Sequence, residues 1–268
     1  MTAFLIILIF ILGASLGSFL SVVIDRIRHK KKGIFFGRSA CPHCKNKLGT
    51  LDLIPILSFI TLKGQCRYCG KPISPHYLSI EVITGIVFTT LFFRYPFFSQ
   101  SDLILDFDPG MLLDYAISAV TSLFLIAIFF YDLLHSEIPD IFLFPLIGTA
   151  FVGSLIMGTP SLISMLIAGG IALGFYGGQH LASKGKWLGE GDIYLTIGTA
   201  FILGWELFLA SIIITYILGG VVATYLLISK KVTGKTQIPF APFIILGTFV
   251  TIFFGDELLQ WYLGSLTF

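Results

Sequence analysis

A chain of 268 residues that is 56% hydrophobic and only 12% charged, with a mean hydropathy of +0.92, cannot be a soluble domain, which averages about 25% charged residues. The net charge of +2 excludes nothing by itself, but its placement does. Eleven of the 17 Lys and Arg fall between Arg26 and Lys71, where membrane topology accounts for them and no nucleic-acid partner is needed.

Apolar runs of bilayer-spanning length predict an all-α polytopic membrane protein. Eight spans fit: roughly 2–24, 79–98, 112–131, 141–158, 162–183, 192–204, 206–229 and 240–259. Eight keeps every basic cluster on one side, whereas six or seven would strand a basic loop outside. The first run is followed, not preceded, by its basic residues and ends in no A-x-A-like site, so it reads as a retained helix. The positive-inside rule puts its N-terminus outside and the loops 26–78, 132–140, 184–191 and 230–239 in the cytoplasm. Lys30 to Lys32, Lys231 and Lys235 belong to those basic loops, and the first three read as a topology determinant against anionic lipid. The domain reading is a first helix at 1–25, a cytoplasmic module at 26–78 and a membrane domain of about seven helices at 79–268.

GASLG, with Gly13 and Gly17, places two small residues on one face of the first span, where packing within the bundle is favoured over dimerisation. Gly169, Gly170, Gly174, Gly177 and Gly178 read as close-packing positions in the fifth span. The module 26–78 is too small to bury much core unaided. It carries all four cysteines, in C41-P-H-C44 and C66-R-Y-C69. Two CxxC turns at this interval match a four-thiolate zinc site with no open position, hence a structural one. A redox pair and unliganded core cysteines are the competing readings. His43, inside the first knuckle, reads as a solvated loop residue.

Two carboxylates fall at the cytoplasmic edge of apolar spans. Asp132 opens DLLHSEIPD, and Asp192 follows GEG. An ionisable residue at a membrane boundary is a functional candidate. Two carboxyl groups that converge cannot both ionise freely and share one proton, which suits aspartic proteolysis without metal or covalent intermediate. The plainer reading stays open: Asp192 as an N-cap after a glycine turn, Asp132 as a helix-end residue, and Asp140 capping the fourth span after Pro139. Glu81 reads as a helix-start charge or a ligand contact. Arg26 and Arg67 read first as contacts to lipid phosphate. Glu137 and Glu190 read as solvated, and His135 and His180 as interfacial.

Five segments in order carry a resemblance: GSFLSVVIDR (17–26), the cysteine stretch 39–81, YDLLHSEIPD (131–140), GEGD (189–192) and IPFAPFIILG (238–247). Together they resemble the bacterial prepilin peptidases, the type 4 leader peptidases among the GxGD aspartic membrane proteases, almost end to end. The resemblance implies that Asp132 and Asp192 are the catalytic pair, with Gly189, Gly191, Pro139 and Asp140 as supporting motif residues. It implies cleavage of the basic leader of prepilins or pseudopilins after a glycine, at the cytoplasmic face of the bacterial inner membrane. It further implies methylation of the new N-terminus with S-adenosylmethionine as donor, for which Glu81, Arg26 and Arg67 are candidate donor or substrate contacts, and structural Zn²⁺ at Cys41, Cys44, Cys66 and Cys69. The chain departs from the family's usual Asn at Ser21, Lys at Tyr194 and Gly at Ala241. A GxGD protease with another substrate and no methyl transfer, or a non-enzymatic membrane scaffold, are the alternatives. No oligomeric state follows from the sequence.

Overall fold

The computed structural model describes residues 2–29, 37–101, 104–230 and 238–265. Lys30 to Lys32, Lys231 and Lys235 lie outside the described residues. Nine α-helices are found among the described residues: α1 (Thr2–Arg28), α2 (Leu57–Thr61), α3 (Pro75–Arg94), α4 (Pro109–His135), α5 (Asp140–Met157), α6 (Leu162–Ala172), α7 (Gly178–Ser183), α8 (Glu190–Ile228) and α9 (Ala241–Ser265). A π-helical turn, Leu173–Gly177, joins α6 to α7 into one span. One antiparallel ribbon, β1 (Phe98–Ser101) with β2 (Ile104–Phe107), precedes α4. Seven of the helical segments are long and apolar enough to cross a bilayer, so this is a multi-pass membrane protein.

Seven against the expected eight has one cause. The 39-residue α8 contains Gly204 at φ 70, ψ 175, which is not helical. Asp192 and Tyr216 would stand about 36 Å apart on a straight helix rising 1.5 Å per residue. Yet charge on Asp192 is felt at the Tyr216 hydroxyl, and Leu188, Ala200 and Phe208 share one buried cluster. The helix therefore doubles back at Gly204, and its two arms are the expected spans 192–204 and 206–229. The first arm, residues 190–203, is only about 21 Å long, short of a hydrocarbon core of about 30 Å.

The chain divides into two compact units, Met1–Leu123 and Phe124–Phe268. In the first, α1 packs along α3. A Cβ at Gly13 would lie 2.9 Å from the Thr84 carbonyl oxygen, and one at Gly17 2.9 Å from both the Ile80 oxygen and the Glu81 Cα. The GASLG stripe thus lets two backbones meet within the unit. Gly17→Leu should cost about 1–3 kcal/mol, read as a lower thermal midpoint in detergent; an unchanged midpoint would remove this contact from the account.

In the second unit, α8 is the hub, touching α5, α6 and α9. Ala168, Ala172, Tyr176, Ala200, Leu203 and Phe208 form its core. Of the five glycines expected to pack closely in the fifth span, only Gly169 does, with a Cβ position 3.3 Å from the Phe201 ring. Gly170, Gly174, Gly177 and Gly178 have nothing within 4 Å of theirs, so small size there serves no contact among the described residues.

Candidate functional site

Asp132 lies one turn before the end of α4 and is buried at 5% exposure. A negative charge near a helix C-terminus opposes that helix's dipole. Here the opposition is offset from another element: the backbone N–H of Ala241, first residue of α9, interacts with the Asp132 carboxylate. The second oxygen, Oδ2, is buried with no hydrogen-bond partner among the described residues. A buried carboxylate oxygen left open is costly unless something polar enters.

Asp192 is buried at 8% exposure. It is not the N-cap of α8, in contrast to the plainer expectation from sequence. Gly189 is the N-cap, with extended backbone at φ −74, ψ 159, and Asp192 stands at N3. Its Oδ2 accepts the Gly189 N–H at 3.0 Å, the reach-back half of a capping box. The carboxylate thus satisfies an orphan donor of its own helix and sits where the dipole favours it. Charge on Asp132 is felt at Asp192, so the two side chains, 60 residues apart in sequence, are neighbours in space.

Around them the two motifs interlock. A Cβ at Gly191 would come within 3.1 Å of Ile138, so glycine there lets the start of α8 close against the SEIPD segment. Pro139 is the N-cap of α5, and its carbonyl accepts the Phe142 N–H at 3.0 Å. Asp140 is therefore the first helical residue, not the cap, and it is exposed. Glu137 and Glu190 are exposed. His135 packs edge-on against Tyr131. His180 bonds the Leu188 carbonyl at 2.8 Å and so fastens the loop leading into GEGD, a role beyond the interfacial one expected. Tyr194 is exposed and faces Phe144, two residues from Asp192 yet on another side of the helix.

Sequence reasoning missed three contributors. The Ala241 amide is one; a backbone donor leaves no residue-type signature, although Ala-Pro at a span start marks a helix N-terminus. The others are Tyr176 and Tyr216, stacked at 6.3 Å and within electrostatic reach of Asp192. The Tyr216 hydroxyl donates to Gln179 Oε1 at 2.7 Å.

The first unit holds a separate centre. The four Sγ atoms of Cys41, Cys44, Cys66 and Cys69 all lie within 4.8 Å of one another, and none is in a disulfide. Both knuckles are built alike. The Cys41 N–H donates to the Asn46 carbonyl at 3.0 Å and the Cys66 N–H to that of Lys71 at 2.9 Å. The residue after each second cysteine, Lys45 or Gly70, has left-handed φ of 60 and 66. A tetrahedral Zn²⁺ with bonds of about 2.3 Å needs sulfur atoms about 3.8 Å apart; Cys41 and Cys69 are at 3.9 Å. The donor set therefore fits a four-thiolate metal. His43 is exposed and outside the cluster.

Arg26 turns inward, whereas Arg67 stays exposed and pairs within its own module. Arg26 is buried and its Nη2 donates to the Gly37 carbonyl at 2.9 Å. Arg67 Nε donates to Asp52 Oδ1 at 2.6 Å. Burial raises the Asp52 carboxyl, but Arg67 and the Gly49 N–H outweigh it and hold it below the usual carboxylate range. Glu81 does not stand at the helix start. It is buried in the second turn of α3, and its Oε2 accepts the Ile56 N–H at 2.7 Å.

Fold and site define a class: a polytopic membrane protein with two adjacent buried aspartates from different helices in one unit and a four-thiolate centre in the other. Comparison with known proteins makes that class specific. Residues 11–95 match the Bacterial Peptidase A24 N-terminal domain and residues 119–224 the Type IV leader peptidase family. The chain is 25% identical over 285 residues to the Prepilin leader peptidase/N-methyltransferase of Aeromonas hydrophila, covering 96% of this chain and 93% of that protein. It is 29% identical over 260 residues to that of Bacillus subtilis (strain 168), covering 96% and 97%, and 29% identical over 245 residues to that of Legionella pneumophila, covering 87% and 78%. No solved structure matches the chain. The chain thus carries a Bacterial Peptidase A24 N-terminal domain followed by a Type IV leader peptidase domain.

Proposed function

We propose that this protein is a prepilin leader peptidase and N-methyltransferase, as its relatives are named. Asp132 and Asp192 are its catalytic pair, Gly189, Gly191 and Pro139 shape the turns that present them, and Asp140 starts the helix beside them. The observation that carries this is the pair itself: two buried carboxylates from separate helices, close enough for one to sense the other's charge, one with an open oxygen. One carboxylate takes a proton from water while the protonated other polarises the scissile carbonyl. The roles reverse as the amine leaves. The substrate is a prepilin or pseudopilin with a basic leader and an apolar segment. Its leader stays on the cytoplasmic side, so the cut falls at the inner-membrane boundary, with the N-terminus of the enzyme outside.

Methylation of the freed amine uses S-adenosylmethionine. Cys41, Cys44, Cys66 and Cys69 hold a structural Zn²⁺ that folds the module. Metal analysis of the purified protein should find about one zinc per chain, and Cys66→Ser should lose it; a metal-free, equally stable parent would refute the zinc. The decisive assay is mass spectrometry of a prepilin incubated with the detergent-purified protein and S-adenosylmethionine. Loss of the leader with one methyl group on the new N-terminus is the expected product. Cleavage alone leaves a protease without transfer, and intact substrate across several cognate prepilins leaves the scaffold reading.

A further inference from the structure

His180 and Asp192 hold the two ends of one peptide group. The Leu188 carbonyl accepts the His180 Nδ1–H at 2.8 Å. The N–H of the same peptide unit, that of Gly189, donates to Asp192 Oδ2 at 3.0 Å. A carbonyl oxygen only accepts, so the proton of this contact is on Nδ1. The ring can donate it whether neutral or charged. In a trans peptide the C=O and N–H lie in one plane and point opposite ways, so the imidazole and the carboxylate face each other across the unit.

The local chain is folded to make this contact. His180 lies in α7, and the chain reverses just after that helix. Lys184 and Gly185 both have left-handed φ, 52 and 73, and the Gly185 N–H returns to the His180 carbonyl at 2.9 Å. A Cβ at Gly185 would lie 3.3 Å from His180 Cε1, so glycine lets the ring lie against the turn. The Trp187 N–H donates to Ser183 Oγ at 3.2 Å. Leu188 is 4% exposed and shares one buried cluster with Tyr176 and Ala200.

The amide that moors Asp192 is not rigid by itself. A peptide plane swings by opposite rotations of the ψ before it and the φ after it. The residue after it here is glycine, the least restricted of all. A bond at the N–H end alone would let plane and carboxylate swing together. A second bond at the carbonyl end stops the swing. Bonds in such a chain also polarise one another, by about 10–30% each, so the Gly189 N–H is a better donor while the ring holds the carbonyl. We propose that His180 is a positioning residue of the peptidase, which fixes the Asp192 carboxylate through the Leu188–Gly189 peptide. This rests on Asp192 being one of the catalytic pair, as proposed above.

The test is steady-state cleavage of a prepilin by the full-length protein in detergent, with kcat and KM separated. The proteins are the parent, His180→Asn, His180→Gln, His180→Leu and Asp192→Asn. The asparagine N–H stands near the place of Nδ1. Glutamine, one methylene longer, puts its amide near the place of Nε2, and leucine donates nothing. The expected result is a kcat about tenfold lower for the Gln and Leu variants, with KM within about twofold of the parent and kcat of the Asn variant within about threefold. A purely structural role would lower the thermal midpoint along with the rate and would not separate Asn from Gln. Equal kcat for Asn and Gln, parental kcat for Gln, or a change confined to KM overturns the positioning role, and does so alone if Asp192→Asn is inactive. Parental cleavage by Asp192→Asn, or none by the parent, overturns the catalytic pair and the positioning role with it. The Asn and Gln variants decide the matter even if the Leu variant does not fold.

Discussion

Asp132→Asn and Asp192→Asn are each expected to slow leader removal by about 10³-fold or more. Asparagine keeps the shape and the hydrogen-bonding oxygen but cannot take or give the proton. General acid–base catalysis contributes about 10²–10⁴-fold per group, and paired groups fail together, so the double variant should be little worse than either single one. Each replacement should still fold. An asparagine at position 192 can accept the Gly189 N–H through its amide oxygen as Asp192 does, and an asparagine at position 132 can face the Ala241 amide in the same way. The measurement is single-turnover cleavage of a prepilin followed by mass spectrometry, with thermal midpoint and zinc content as fold controls. Parental cleavage by either variant, at normal stability, would remove that residue from the pair. It would also favour a scaffold, which tolerates both changes.

Gly204→Ala should cost about 2–6 kcal/mol, a large part of the roughly 5–15 kcal/mol typical of a whole domain. Two causes add. The backbone at φ 70, ψ 175 lies in a region essentially reserved for glycine, with a strain of about 1–3 kcal/mol for any other residue. The new methyl would also sit 2.5 Å from Ser164 Oγ and 2.7 Å from Pro160 Cβ, an overpacking cost of about 1–3 kcal/mol. Ser164 Oγ accepts the Trp205 N–H at 3.0 Å, so displacing it also loosens the first bond of the returning arm. Gly170→Ala is the matched control. It is helical with nothing within 4 Å of its Cβ position, and alanine there should be neutral or stabilising by up to about 1 kcal/mol. Thermal unfolding in detergent, read at tryptophan fluorescence, compares the two. Equal midpoints would mean that the reversal does not depend on Gly204.

What the sequence discloses depends on which physical signals are local. The spans are legible because each is a run of apolar residues. The reversal at Gly204 is legible only as a gap between spans six and seven, since φ and ψ leave no letter in the sequence. The thiol cluster is legible because two CxxC turns prescribe most of their own geometry. The depth of Asp132 and Asp192 follows from the apolar runs beside them, but nothing local says that residues 60 positions apart approach each other. Asp192 reads as an N-cap because a glycine can cap with its backbone alone; here Gly189 does so, and the carboxylate stands at N3. Arg26 and Arg67 read as lipid contacts because membrane-proximal arginines usually face headgroups, and the acceptors that pair them, Gly37 for the buried Arg26 and Asp52 for the exposed Arg67, carry no positional cue. Glu81 is ambiguous for the same reason; its partner Ile56 is 25 residues away.

Each member of the proposed pair is moored to the main chain: Asp192 by its Oδ2 to Gly189, Asp132 against Ala241 with Oδ2 left open. The terminal torsion of an aspartate is ordinarily broad. A planar group pinned at one corner loses that freedom, so each carboxyl behaves as a fixed tooth whose reach is set by a helix end and not by its own rotation. Glutamate, longer by one methylene, could hold its mooring or reach the tooth position, but not both. The enzyme has in this way made carbon count, as much as acidity, a condition of its chemistry.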